Sequence, residues 1–254
     1  MSAGESAVVS RTGDGAVAVL TLNRPERRNA LGVNSMRALR AALHTADQDA
    51  DVRAIVLTGA PPAFCAGSDL KELGGLSVPD MCAHEAATAA VAREIGMLSK
   101  PVVAAVEGFA LGGGFILAAS CDAVVTASNA RWHLPEVANG WTPPWGLGAL
   151  IARVGPVRAR LLTWAADPID GVEAHRLGVA DELADAGQAL TRATEVAQRL
   201  AKQPADAVAS VKRFFEPFAS ADGERLDHVA SRLFAHDCES AEAKATLSRF
   251  TVKA

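Results

Sequence analysis

The chain has little sulfur and no sulfur motif. Its four cysteines, Cys65, Cys82, Cys121 and Cys238, lie too far apart for a CxxC pair, which argues against a thiol redox centre. With the scattered histidines they offer no zinc-ligand spacing. No charged start, apolar stretch and cleavage site precedes them, so a reduced, cytoplasmic protein is expected. No apolar run approaches the roughly 18 to 20 residues that a bilayer-crossing helix needs. A large excess of charge of either sign is also lacking. A formal net charge of -4 gives no general attraction to nucleic acid or to an anionic membrane. A polyanionic ligand must therefore meet a local basic cluster, and Arg24, Arg27, Arg28 and Lys71 are the candidates. No GK[ST] follows any glycine loop. In GFALGGGF, Leu117 stands where the third glycine of GxGxxG would fall, which argues against a dinucleotide fold. AGSDL is not a GxSxG elbow, although a Ser68 nucleophile served by a distant His and Asp remains a hydrolase alternative. Low-complexity tracts are missing too.

What is present is a chain of 254 residues, 50% of them hydrophobic, enough to bury a large core as one domain or one domain with a helical appendage. It is organised around residues 100–128, KPVVAAVEGFALGGGFILAASCDAVVTAS. The Pro-led apolar run 101–106 predicts a buried strand, 108–114 a glycine-rich loop, 115–120 a short helix and 123–127 another strand. Three consecutive glycines ahead of a helix remove every Cβ where free N–H groups point outward, so an oxygen of a ligand can approach the main chain. That suits an anion or a polarised carbonyl. The same grammar occurs earlier, with a strand at 54–58, a Gly/Pro loop at 59–67 and a helix opening at Ser68 and Asp69. Two such openings could aim one N–H each at a single oxygen.

Elsewhere, strands at 7–11 and 16–21 flank a hairpin turn at 12–15. Asn34 or Ser35 caps a helix running to His44 or Thr45. An Ala-rich helix covers 79–98, with Met81, Ala89, Ile95 and Leu98 as contacts. A short strand at 130–134 leads to Pro135 and Glu136, and adjacent prolines stiffen the loop 139–144. Helices at 147–154 and 156–165 are split at Gly155 and Pro156. Asp170 caps a helix at 171–177, Gly178 stops it, and 179–183 forms a last strand. From Gly187 onward the pattern is helical, at 188–202, 204–218, 222–236 and 239–250, so composition shifts near residue 186.

The pieces LNRPERRNAL (22–31), FCAGSDL (64–70), GFALGGGF (108–115) and LPEVANG (134–140) fall in an order that resembles the crotonase, or enoyl-CoA hydratase/isomerase, superfamily. The likeness runs from about residue 6 to the C-terminus. It implies an α/β (α+β) fold, a ββα spiral core at 1–186 carrying an acyl-CoA site, and a C-terminal helical region at 187–254 that builds trimers and hexamers. It implies a thioester substrate that brings coenzyme A, with no permanently bound cofactor, no metal, no nucleic acid and no membrane. By the same resemblance the main-chain N–H groups of Ser68 and Gly113 form an oxyanion hole, the Ser68 side chain is incidental, and Glu136 is the acid/base. Its neighbours Leu134, Pro135 and Val137 would desolvate that carboxyl and raise its pKa. Substrate or CoA contacts map onto Ser68, Asp69, Leu70, Lys71, Arg28, Ala30, Gly112 and Gly113.

The chain departs from that pattern at two places. Two-glutamate hydratases resembling it carry a second Glu at the position of Ile116. Water addition is easiest with two groups sharing one water, whereas a single glutamate can shuttle a proton between two carbons, so the sequence leans toward double-bond isomerisation. Hydration or related lyase chemistry with one glutamate is the alternative, and a non-catalytic CoA-binding or assembly subunit is another. In the loop 140–146, Trp141 and Trp145 replace small residues, which implies a narrower or flatter acyl pocket. His133 and His84 are proton-relay candidates, with a solvated face as the competing reading. Asp122 is assigned to packing, and the Asp69 side chain to the positive end of a helix.

Overall fold

The computed structural model describes residues 15–250 except 166 and 221. The expected strand at 7–11 and most of its turn lie outside them. Nine strands follow in chain order: β1 (Val17–Leu22), β2 (Ala54–Gly59), β3 (Ala63–Cys65), β4 (Val102–Val106), β5 (Phe109–Leu111), β6 (Ala123–Ala127), β7 (Arg131–His133), β8 (Ile169–Asp170) and β9 (Glu182–Ala184). Ten helices accompany them: α1 (Val33–Gln48), α2 (Leu70–Leu73), α3 (Val78–Met97), α4 (Gly113–Ala119), α5 (Leu147–Trp164), α6 (Gly171–Arg176), α7 (Ala189–Ala201), α8 (Ala205–Ser220), α9 (Gly223–Asp237) and α10 (Ala241–Ser248).

Near-continuous apolar runs such as VAVL, AIVL and VVAAV make strands that must be covered on both faces. They pair in parallel as β1-β2-β4-β6-β9. Alternate residues then sort to opposite sides. Ala18, Leu20, Ile55, Leu57, Val102 and Ala104 face the main core with α1, α3 and α4. Val17, Val19, Val56, Val103 and Val125 face Ala193, Val196 and Ala197 of α7, so the first helix after residue 187 roofs the sheet. Burying a side chain of Val or Leu size contributes roughly 1.5 to 3 kcal/mol, and these two layers hold the frame on which the loops are mounted.

A second sheet, β3-β5-β7-β8, runs parallel except for its last pair. Its strands follow those of the first sheet in order: β2 then β3, β4 then β5, β6 then β7. Each pair is followed by a helix. That is a spiral of ββα turns. Two of these short strands, β3 and β5, fall inside segments expected to be loop, and α4 begins at Gly113 rather than at Phe115. The last strand of the larger sheet begins at Glu182 rather than at 179, because Val179 and Ala180 turn back and donate to the carbonyl of Ala174. The α1 cap is Gly32, whose N–H donates 2.8 Å to the Ser35 hydroxyl. The break in α5 falls where expected, with Gly155 at φ 74° and ψ 163°.

Candidate functional site

The site grows from the pairing of β3 with β5. Cys65 stands opposite Ala110 in parallel register, so Ser68 and Gly113, each three residues further on, leave the sheet side by side. A Cβ built on Gly67 would lie 3.1 Å from the Gly113 nitrogen. Ser68 forms a bridge with Leu31, in which the Leu31 N–H donates to Gly67 O at 2.8 Å and the Asp69 N–H donates to Leu31 O at 3.0 Å. In a parallel bridge of this kind the amide of Ser68 itself points the other way. Gly113 opens α4, where the first N–H groups have no partner within the helix. Neither amide donates to another described residue, and Gly67, Ser68, Gly112 and Gly113 line one pocket.

Two glycines make this convergence possible. Gly112 adopts φ 51° and ψ -123°, a region closed to side chains with a Cβ. Its N–H donates 2.9 Å to the His133 carbonyl. Gly114 lets α4 press on β3, since a Cβ there would stand 2.2 Å from the Cys65 carbonyl oxygen.

The loop before Ser68 is held by a buried polar knot. Arg24, 8% exposed, donates to Ala30 O at 3.0 Å and to Asp69 Oδ2 at 3.2 Å. Asn29, at φ 58°, donates to the carbonyls of Ala60 and Ala63 at 2.8 and 2.6 Å. Arg24 is therefore a strut and leaves the basic cluster proposed for a ligand. Asp69 also accepts from the Lys71 N–H at 3.2 Å, capping α2. Ala30 is buried beneath this knot and Leu70 lines the pocket, while Lys71 and Arg28 stay exposed, with the Arg28 guanidinium 5.6 Å over the Phe109 ring.

Glu136 reaches the pocket from the turn after β7, which is tied back by the Asn139 and Trp141 N–H groups donating to the Glu136 carbonyl at 3.1 and 3.0 Å. Its carboxyl lies over Gly112, where a Cβ would be 2.7 Å from Oε1. Oε2 is buried and has no hydrogen-bond partner among the described residues. Burial pushes the Glu136 carboxyl up to about 8, with the Glu85 carboxylate adding to the rise and the residue's own backbone N–H opposing it.

Glu85 is the residue that sequence reasoning missed. It projects from α3 onto the same pocket, is 3% exposed, and accepts 2.6 Å from the Trp145 indole N–H. The Ser68 side chain is also a partner of this carboxyl and draws its pKa down. Burial raises the Glu85 carboxyl, against the pull of those two donors and of His84. A signal existed: Glu85 sits four residues after Met81 and four before Ala89, on the buried stripe of α3. The pocket takes this side chain and not His84. His133 faces the Ala165 carbonyl at 3.1 Å, away from the pocket lining. Asp122 accepts from the Val102 N–H at 2.7 Å and pairs with Lys212, a packing role as expected. Ile116 lines the pocket at the position where the resemblance implies a second glutamate, and both Trp141 and Trp145 wall it, leaving a cavity of about 70 Å³.

Two free amides, a desolvated carboxyl beside them and an enclosed pocket suit an acyl carbonyl whose neighbouring carbon exchanges a proton. Comparison with known proteins agrees. The description "Enoyl-CoA hydratase/isomerase" matches residues 12–254. A short-chain-enoyl-CoA hydratase of Clostridium acetobutylicum is 32% identical over 94% of this chain and 93% of its own. A crotonyl-CoA hydratase of Syntrophomonas wolfei is 37% identical over 72% of each. The crystal structure of an enoyl-CoA hydratase/isomerase from Xanthobacter autotrophicus superposes with a TM-score of 0.86 at 25% identity, covering 95% of this chain and 91% of that one. The chain belongs to the enoyl-CoA hydratase/isomerase family of the crotonase superfamily, whose enzymes act on acyl-CoA thioesters.

Proposed function

We propose that the protein hydrates a short 2-enoyl-CoA reversibly, with Glu136 moving the proton at the carbon next to the thioester carbonyl. The observation that carries this is the buried Glu136 carboxyl, one oxygen unpartnered, beside the unused amides of Ser68 and Gly113. Two preorganised donors stabilise the negative charge that develops on the thioester oxygen, a contribution of about 10²- to 10³-fold for each donor. A carboxyl near 8 holds its proton at neutral pH and can give it to carbon. Hydration is favoured over isomerisation by the relatives named as hydratases, and the two indoles fit a short acyl group. Isomerisation is kept as a second reading by Ile116. CoA would run over the exposed rim of Arg28 and Lys71 and the backbone from Ser68 to Lys71. A second copy of the chain would cover the exposed rings of Phe214, Phe215 and Phe218 on α8, the trimer or hexamer being built by residues 187–254.

Glu136→Gln should lower hydration of crotonyl-CoA by about 10²- to 10⁴-fold while binding of a CoA ester, followed by calorimetry, stays within a few-fold. Unchanged turnover would remove the proposed acid/base. Supplying 2-enoyl- and 3-enoyl-CoA in heavy water separates the two net reactions by double-bond position.

A further inference from the structure

A buried carboxylate facing another carboxylate is costly to a fold, since each penalises the charge of the other and neither is solvated. Glu85 is in that position: it is 3% exposed and close enough to Glu136 for the two to repel. The nearest strong cation on its helix, Arg93, is committed to Asp227. A glutamine could accept from Trp145 and Ser68 equally well, so anchoring those two side chains does not explain a carboxylate. The two donors instead favour the anionic form of Glu85, whereas Glu136 has only its own backbone N–H acting on its carboxyl and its Oε2 has no partner among the described residues. Burial raises both carboxyls, and the donor on Glu85 set against the unpartnered Oε2 of Glu136 makes the pair asymmetric, favouring the shared proton on Glu136.

We propose that Glu85, delivered by α3 and held by Trp145 and Ser68, is the base that activates the water of hydration, taking from a different element the task that Ile116 cannot perform. This rests on the hydratase reading above. In the forward direction Glu85 accepts a proton from water as the oxygen bonds to the β-carbon. The π electrons move toward the thioester oxygen between the two amides, and Glu136 gives its proton to the α-carbon as the carbonyl re-forms. One water is consumed, Glu85 ends protonated and Glu136 ionised, and transfer of that proton back to Glu136 through solvent resets the pair. Ser68 then serves twice, its amide on the substrate oxygen and its hydroxyl on the base.

The test separates water activation from α-carbon chemistry. Wild type, Glu85→Gln and Glu136→Gln are assayed for hydration of crotonyl-CoA and for exchange of the α-proton of butyryl-CoA in heavy water, a reaction that needs no added water. Glu85→Gln should lose hydration by about 10²- to 10³-fold and lose exchange by less than about tenfold, whereas Glu136→Gln should lose both. Hydration by Glu85→Gln within about threefold of wild type overturns the proposal, as does an equal loss of hydration and exchange. A wild type that exchanges but does not hydrate would instead overturn the hydratase reading beneath it. Trp145→Phe, which keeps the carboxylate and removes one donor, supplies a folded second probe. The acid limb of its hydration pH profile should move upward, and an unmoved limb counts against Glu85.

Discussion

Gly114→Ala tests the claim that close contact between α4 and β3 sets the spacing of the two amides. The added methyl would sit 2.2 Å from the Cys65 carbonyl oxygen and 2.7 Å from Cys65 C and Cβ, where ordinary contact begins at 3.4 Å. The obstacle is backbone, so it cannot swing aside, and α4 must retreat by about 1 Å. Gly113 is the adjacent residue on α4 and moves with it, while Ser68 stays with β3. A misplacement of about 1 Å can cost on the order of 10²-fold in rate. Overpacking a core typically costs about 1 to 3 kcal/mol, against which alanine regains at most about 1 kcal/mol of helix propensity. The clash therefore wins on stability. The expected result is a drop of about 10²-fold in kcat/KM for crotonyl-CoA together with a lowered melting temperature. Gly75→Ala is the control, because a Cβ there meets nothing within 4 Å. If Gly114→Ala keeps both its rate within about threefold and its melting temperature, the contact does not control the amide spacing.

The Glu136 carboxyl also predicts how stability responds to pH. Its value rises from 4.5 to about 8 on folding. Below 4.5 both states are protonated; between 4.5 and 8 the unfolded chain has lost the proton that the native chain still holds, so the native state loses about 1.4 kcal/mol per pH unit at most. Glu136→Gln lacks this penalty. Its melting temperature should exceed that of wild type by a margin that opens across that window and levels off above it, and a margin independent of pH contradicts the assignment. Trp145 borders both the small pocket beside Glu136 and a neighbouring cavity of about 440 Å³ between α3, α5 and α8. Trp145→Ala should join them and raise the kcat/KM ratio of decenoyl-CoA over crotonyl-CoA by about tenfold or more, even though both rates fall with the loss of a Glu85 donor. An unchanged ratio means the indole is not the chain-length wall.

The elements most legible in sequence were those whose physics is local. Apolar runs such as 54–58, 102–106 and 123–127 need cover on both faces wherever they are placed, and they form the parallel sheet. The glycines of 112–114 and the Gly-Pro break at 155–156 announce backbone shapes that other residues resist. β3 and β5 were not legible because three residues are too few to display a period, and their pairing is fixed only when successive turns of the spiral stack. Arg24 looked like one more surface arginine. Its burial depends on Asp69, 45 residues away. Glu85 was hidden in an alanine-rich helix whose small residues mark no clear face, and its role is visible only once Trp145, 60 residues on, closes over it.

The proposed grip on the ligand oxygen is made of peptide groups, so its chemistry would survive any exchange of nearby side chains that leaves the β3–β5 register alone. Charged groups can then migrate around the pocket over evolutionary time, lost from one helix and gained on another, without the anchor having to be reinvented. On the proposed reading Glu85 serves from α3 where Ile116 on α4 cannot, and a spiral of repeated turns offers further walls from which a charged group could face the same anchor.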